Sequence, residues 1–405
     1  MQASSSRPVY GSGASAPPPI GPALPRAAVG ALESSKIREV YNDGADIPDL
    51  IPLWVGEPDI HTPDFIKRAA AESLTAGETF YSSNLGIAPL RDAIACYQQR
   101  NGRRVTMDRV CATSAGVSAI MLACQTVLDP GDRVVTLAPH WPNIGAIPLI
   151  LSAPVETVPL HLTQGLWRVD LDRLLSAITP ETRLVLLNSP ANPTGFALTR
   201  EEQQAILAHC RRTGTWILAD EVYERLYYEG PRAPSFLDLA EPEDRVVAVN
   251  SFSKSWAMTG WRLGWLVVPP GLTDPVAKLV EYNTSCAPAF VQRAGVAALD
   301  QGDDFILEVA ALYRRLRDKT AAALNGVPGV TAPVASGGMY SFFRVEGLTD
   351  SLAEAKRMSR GAKVGLAPGS AFGPGGEGHF RLCFAQQEAT LDRALERVTG
   401  WLRRG

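Results

Sequence analysis

The middle of the chain alternates two hydrophobic patterns. Short unbroken apolar runs, "DRVVTLAP", "TRLVLLNSP", "TWILADEVY", "DRVVAVNSFS" and "RLGWLVVPP", are each closed by turn residues. Such runs suit strands buried on both faces, because a strand with one wet face alternates apolar with polar. Between several of them the apolar residues recur at helical spacing, as in "TREEQQAILAHCRRTG". There Thr199 and Glu202 make a capping box and Gly214 a stop. Strand–helix alternation of this kind predicts an α/β domain with a mostly parallel sheet flanked by helices.

The flanks read differently. "TPDFIKRAAAESLTAG" has a Thr-Pro start, helical spacing and a Gly stop, and "APLRDAIACYQQRNG" follows the same plan. From about residue 300 a long charged helical stretch, "DDFILEVAALYRRLRDKTAAAL", leads into shorter strands and helices that end in "TLDRALERVTGWLRRG". This part predicts a smaller α+β domain. The first residues, with "SAPPPIGPALP" at their centre, hold too little apolar surface to offset their ordering entropy and predict a disordered tail. The expected organisation is a tail over 1–33, a segment over 34–58 that packs with the small domain, a large domain over 59–299 and a small domain over 300–405.

Composition removes several function classes. With 46% hydrophobic and 20% charged residues the chain reads as globular, and its net charge of −3 gives no reason to expect nucleic acid as a partner. The six cysteines are scattered without a CxxC pair, which speaks against a zinc site or disulfide framework and fits a reducing cytosol. No apolar run has the length of a membrane span and the N-terminus lacks a signal-peptide layout, so a cytoplasmic protein is expected. Lysine is scarce, and none lies between Lys67 and Lys254. Lys254 stands among small hydroxyl residues in "SFSKSWAMTGWR", directly after an apolar run.

In open α/β sheets ligands gather at the carboxyl ends of the strands. Those ends carry Trp141, Asn192, Asp220, Tyr223, Ser251 and Lys254. An aromatic ring, an amide, a carboxylate, a phenol, a hydroxyl and an amine together suit an aromatic, phosphorylated aldehyde. Lys254 would condense with the aldehyde and Asp220 would keep a ring nitrogen protonated. Trp141 would stack on the ring, Asn192 and Tyr223 would bond a phenolic oxygen, and Ser251 with Arg262 would hold a phosphate. The turn Ala115-Gly116-Val117 in "TSAGVSAIMLAC" would add helix-start N–H groups to the same phosphate. Each residue alone also has a bland reading as a cap, a turn or loop packing. "GPGGEGH" lacks the spacing of a nucleotide loop and reads as an ordinary loop.

At these residues the chain resembles a known family. "VGEPD", "FYSSNLGIAPLRDAI", "LDPGDRVVTLAPHWPN", "NSPANPTG", "LADEVYERL", "SFSKSWAMTGWRLGW" and "APGSAFGPGGEGHFRLCFA" are similar, in this order, to motifs of fold-type I, class I/II aminotransferases that use pyridoxal 5′-phosphate (PLP), in the aspartate-aminotransferase-like group. The resemblance covers roughly Ser34 to the C-terminus. It implies Lys254 as the Schiff-base lysine and Asp220 as partner of the ring nitrogen. Tyr223 and Asn192 fall at the ring oxygen, Trp141 on the ring face, and Ser251, Arg262 and Ala115–Val117 around the phosphate. It further implies that Tyr81 reaches the phosphate of a neighbouring subunit, hence a homodimer with shared sites. Arg381 is implied to clamp the substrate α-carboxylate, with a backbone contact at Gly56 beside it.

The implied reaction moves an amino group between an L-amino acid and a 2-oxo acid by a ping-pong cycle, with Lys254 as proton shuttle. Two alternatives stand beside it. Carbon–sulfur β-lyases of the same fold share the lysine, aspartate and arginine but usually carry tyrosine where this chain has Trp141. A PLP-sensing regulator would need a DNA-binding domain, for which the first 30 residues are too few and not basic. In the aspartate-specific members that the chain most resembles, a lysine follows the two glycines of the phosphate turn, where this chain has Ala115-Gly116. Val117 stands in place of that lysine, which implies a neutral or aromatic substrate rather than aspartate, unless another cation such as Arg38 supplies the charge.

Overall fold

The structure, a computed structural model of the chain, describes residues 24–404. Most of the expected tail therefore lies outside the described residues. Of its remainder, Ala27–Gly30 forms one helical turn, and Arg26 donates to the Ile150 carbonyl.

The apolar runs of the middle form an eight-stranded sheet. Its strands are β1 (Val110–Thr113), β2 (Arg133–Ala138), β3 (Val155–Thr163), β4 (Leu166–Val169), β5 (Thr182–Asn188), β6 (Trp216–Asp220), β7 (Val246–Ser251) and β8 (Gly264–Val267). They lie in the order β1-β8-β7-β6-β5-β2-β3-β4. The centre, β7-β6-β5-β2-β3, is parallel. The flanks are not: β8 runs antiparallel to β7 and β1, and β4 to β3. Successive side chains of a strand face opposite sides. Thus Leu184, Leu186 and Leu218 enter one core, while Val185, Leu187, Ile217 and Ala219 enter another across the sheet. Burial of both faces is what makes these strands read as unbroken apolar runs.

The helices follow their local signals. Arg200–Thr213 starts on the Thr199–Glu202 capping box and stops at Gly214, which sits at φ 77 in the left-handed region that favours glycine. The helix Gly116–Val127 starts directly after β1, where Ala115 holds φ 140, a backbone conformation rare for residues with a side chain. Its first turn lies against the neighbouring strands. A Cβ on Gly264 would stand 2.7 Å from the Gly116 nitrogen and 2.8 Å from the Ala115 carbonyl carbon.

The second core belongs to the C-terminal part. An antiparallel sheet of Val330–Thr331, Tyr340–Val345, His379–Cys383 and Ala367–Pro368 packs on helices Ser351–Ala362 and Glu388–Leu402. The segment before the large domain joins this core. Ile51–Pro52 pairs in parallel with Val364–Gly365, Val40 and Trp54 are buried in the cluster, and Glu39 and Asp43 of helix Lys36–Gly44 pair with Lys356 and Arg360. The helix Asp303–Asn325 links the two cores, placing Ile306 in the large one and Val309, Tyr313, Leu316 and Leu324 in the small one.

Gly264→Ala should lower the melting temperature, since all three nearest atoms are backbone and overpacking of this kind costs about 1–3 kcal/mol. Gly400→Ala, with open space at the added carbon in helix Glu388–Leu402, should leave it unchanged or slightly raised. Equal melting temperatures for Gly264→Ala and wild type would show that the strand and helix can move apart at no cost.

Candidate active site

The parallel strands end on one edge of the sheet, and this brings their C-terminal residues together. Asn188 closes β5, Asp220 closes β6, Ser251 closes β7, and Trp141 follows β2 at the start of helix Pro142–Ile150. The turn Ala115–Val117 follows β1, and Lys254 sits in the short helix Phe252–Ser255 after β7. A cavity of about 500 Å³ opens there. Gly56, Gly116, Val117, Trp141, Asn192, Asp220, Tyr223, Ser251, Lys254, Arg262 and Arg381 all line it. The small domain thus supplies Arg381, the segment before the large domain supplies Arg38 and Glu57, and the large domain supplies Asp220, Lys254 and Arg262.

Tyr81 is not brought in. In the single chain it is 89% exposed and outside the cavity. Ala115 is buried behind Gly116 rather than on the cavity wall.

Burial sets the electrostatics. The Asp220 carboxyl is pushed up to about 7 by loss of water, opposed by a long 3.4 Å bond from the Val222 N–H and by the charge of Lys254. Lys254 is pulled down to about 8, chiefly by burial, with Arg381 and Arg262 adding to the fall and Cys383 and Glu57 opposing it. Its Nζ donates to the Gly56 carbonyl at 2.6 Å. A side chain at Gly56 would displace Tyr340, since its Cβ would fall 2.0 Å from the Tyr340 hydroxyl.

Arg381 is 3% exposed. It donates from Nη1 to Asn192 Oδ1 at 3.0 Å and from Nη2 to the Trp54 carbonyl, and its guanidinium lies 4.5 Å from the Tyr340 ring centre. Its Nε is buried without a hydrogen-bond partner among the described residues. A buried donor left unpaired is costly, so this edge of the guanidinium suits an acceptor from a ligand. With Asn192 Oδ1 committed to Arg381, the Asn192 amide nitrogen is the atom left to donate elsewhere.

The opposite end of the cavity suits an anion. Helix Gly116–Val127 begins there, and a Cβ on Gly116 would touch that of Ser251 at 3.0 Å, so helix start and serine are in contact. Ser251 Oγ donates to Ser253 Oγ at 3.0 Å, and Arg262 reaches Ser253 Oγ from the other side at 3.5 Å. One cavity therefore offers an anion cup, a buried carboxyl, an amine of depressed pKa and an arginine with an unused donor. This donor set fits PLP. Among the described residues no cluster of His, Cys, Asp and Glu could hold a metal ion.

Tyr340 and Asn188 are among the cavity residues that the sequence analysis does not single out. Tyr340 comes from the small domain, and its hydroxyl meets that of Tyr223 at 2.8 Å. Only the "SGGMY" turn before its strand hinted at a special backbone, and nothing local marks it as facing Tyr223. Asn188 closes β5 and so meets the strand-end rule, but it is passed over for Asn192 when the run is read from sequence. Its amide donates to the Asp220 carbonyl at 3.0 Å and its Oδ1 accepts from the Asn192 N–H at 2.8 Å, which fixes the turn that carries Asn192.

Comparison with known proteins identifies the class. Residues 48–398 match the family model of aminotransferase class I and II. The chain is 34% identical over 364 residues to an aspartate aminotransferase of Rhizobium meliloti (strain 1021), covering 86% of this chain and 88% of that one. It is also 34% identical to aromatic-amino-acid aminotransferase 2 of Thermococcus litoralis, over 91% of this chain and 95% of that one. The structure of a Thermus thermophilus aspartate aminotransferase single mutant aligns with a TM-score of 0.87 at 32% identity, over 93% of this chain and 99% of that one. The chain belongs to the class I and II aminotransferases and is an aminotransferase of fold type I.

The buried carboxyl has a consequence for the chain freed of small molecules. Asp220 keeps its proton to about pH 7 when folded, whereas an unfolded aspartate releases it near 4. Between these values the folded state holds more protons, so stability falls as pH rises through the window. Asp220→Asn removes this loss. Its melting temperature should equal that of wild type near pH 4.5 and exceed it at pH 7.5. A constant difference at both values would mean that Asp220 ionises normally.

Proposed function

We propose that this aminotransferase binds PLP in the cavity at the strand ends and exchanges amino groups between an L-amino acid and a 2-oxo acid in a ping-pong cycle. The observation that carries this is the convergence, in one cavity of about 500 Å³, of Lys254, Asp220, Tyr223, Asn192, Arg262 and Arg381. When bound, PLP supplies an electrophilic aldehyde and an electron-withdrawing ring. The remaining work falls to the chain. Asp220 holds a proton at the ring nitrogen, a role its burial favours because a cation there relieves an unpaired carboxylate. Tyr223 and the Asn192 amide donate to the ring oxygen, and Trp141 covers the ring face. Ser251, Arg262 and the start of helix Gly116–Val127 bind the phosphate. Arg381 binds the α-carboxylate through its unused edge. Lys254, near 8, is partly neutral at neutral-to-basic pH and moves the proton at substrate Cα.

The active form is proposed to be a homodimer. Phe80, Tyr81 and Tyr282 are exposed aromatics, 84%, 89% and 89% accessible. A cleft lined by Thr62, Arg262, Cys286 and Phe290 opens beside the cavity, and Arg262 lines both. A second subunit would cover such a surface and bring its Tyr81 to the phosphate. No helix among the described residues is long and apolar enough to cross a membrane. Together with the free cysteines this supports a cytoplasmic setting.

For the substrate side chain, Ile37, Tyr41, Val55 and Val117 line the cavity with Arg38, whose guanidinium lies 4.9 Å from the Tyr41 ring centre. The apolar majority supports a neutral or aromatic amino acid over aspartate.

The tests are direct. Arg381→Lys should lower kcat/KM for every amino acid by about 100-fold, because a point charge replaces a planar fork. A loss confined to some side chains would move Arg381 out of the carboxylate clamp. In heterodimers of a Lys254→Ala and a Tyr81→Phe chain, activity should return in part, since one mixed site is whole, and its absence would argue against shared sites. Phenylalanine or leucine should exceed aspartate in kcat/KM. An aspartate lead of about tenfold, worth ~1.4 kcal/mol, would hand the side-chain carboxylate to Arg38.

A further inference from the structure

Behind the cavity, and outside its lining, lies a cluster of charge that takes no part in the chemistry above. Arg103 is 3% exposed and Glu224 1%. The Arg103 guanidinium pairs with Glu224, donates to Gln98 Oε1 at 2.6 Å, and donates from Nε to Asp238 Oδ1 at 2.7 Å. Asp238 also accepts from Arg232 at 2.7 Å and from the Ser235 N–H at 3.2 Å. Ser235 in turn donates its hydroxyl to Glu221 at 2.7 Å, and the Phe236 N–H adds a second bond to Glu221 at 3.0 Å.

The cluster reaches the cavity wall along two routes. The Glu224 N–H closes on the Glu221 carbonyl at 2.9 Å, so the turn that presents Asp220 and Tyr223 is held at both ends by members of the cluster. On the other side the Asn250 amide donates to Glu224 Oε2 at 3.5 Å, and Asn250 Oδ1 accepts from the Ser251 N–H at 2.7 Å. Arg103 comes from the far side of helix Ala88–Arg100 and stands 121 positions from Glu224 in the chain. The local sequence around Asp220 cannot fix this turn by itself.

Buried ion pairs are poor sources of stability, since apolar residues of similar volume often do as well or better. What they give is direction: in a dry interior a hydrogen-bonded charge has few alternative positions. Geometry at a reacting centre is costly to lose, and a shift near 1 Å can take about 100-fold from a rate.

We infer that the Arg103–Glu224 pair is a positioning unit, which sets where Asp220, Tyr223 and Ser251 stand without touching the ligand. Loosening the pair lets the Asp220–Tyr223 turn and the Ser251 N–H drift together, so ring and phosphate contacts weaken in concert. This inference rests on the proposal that those three residues hold PLP.

The test uses the full-length chain with Glu224→Gln, Arg103→Lys and Asn250→Ala. Three quantities are read: the Kd for PLP from quenching of tryptophan fluorescence, kcat and KM, and the pH midpoint of the bound cofactor's absorbance. Glu224→Gln should raise the Kd about tenfold, lower kcat at least as much with KM nearly unchanged, and move the pH midpoint. Arg103→Lys, which keeps the charge, should retain more of each than Glu224→Gln. A variant that melts earlier but keeps wild-type Kd, kcat and pH midpoint would make the pair merely structural and overturn the inference. If Glu224→Gln does not fold, Asn250→Ala decides, because it cuts the route to Ser251 without leaving a buried charge unpaired. A raised Kd there supports the inference and a wild-type Kd sinks it. Failure of wild type itself to bind PLP would instead sink the proposed function.

Discussion

Taking charge out of water at the ends of parallel strands is the constraint on which this molecule turns. Asp220 closes β6 at 2% exposure, where burial alone drives its carboxyl toward neutrality. Lys254, after the adjacent strand, loses water in the same cavity and is driven toward its neutral form. Among the described residues neither forms an ion pair, although the charge of Lys254 is felt at Asp220, and each is poised for a partner that a ligand brings. The sheet makes this possible because β6 and β7 are each paired on both sides, so that these end residues can stand at a dry edge while the strand backbone finds its partners within the sheet.

The two domains divide the labour accordingly. The large sheet carries the anion cup, the carboxyl and the amine. The small domain and the segment before the large domain bring Arg381, Tyr340 and the Gly56 carbonyl over the top. The Lys254–Gly56 bond and the Arg381–Asn192 bond both cross from one part to the other. The wall proposed to face the substrate side chain lines the same cavity. Its apolar residues are Ile37, Tyr41 and Val55 from the segment before the large domain and Val117 beside the anion cup.

Much of this was legible in the sequence, for a physical reason. A parallel sheet writes each buried strand as an apolar run, and the residue that ends the run is the residue at the ligand edge. Asp220, Ser251 and Lys254 could therefore be found by reading where the runs stop, whereas Asn188, which meets the same rule, was passed over for Asn192. Tyr340 and Arg103 could not. Each reaches its partner across more than a hundred positions, and no spacing in the chain encodes which turn of a second domain, or which residue beyond a distant helix, will arrive. The antiparallel flanks were also silent, because a buried strand reads the same in either direction. The early part of the chain was read as tail through residue 33, whereas a helical turn at Ala27–Gly30 lies against the large domain.

The account stands or falls on which amine meets the cofactor. The chain should be incubated with PLP, reduced with borohydride, digested and mapped by mass spectrometry. The account predicts a phosphopyridoxyl group on the peptide that contains Lys254, at close to one per chain, and none on the other six lysines. Stoichiometric labelling of a different lysine, or a Lys254 peptide recovered unmodified, would contradict it.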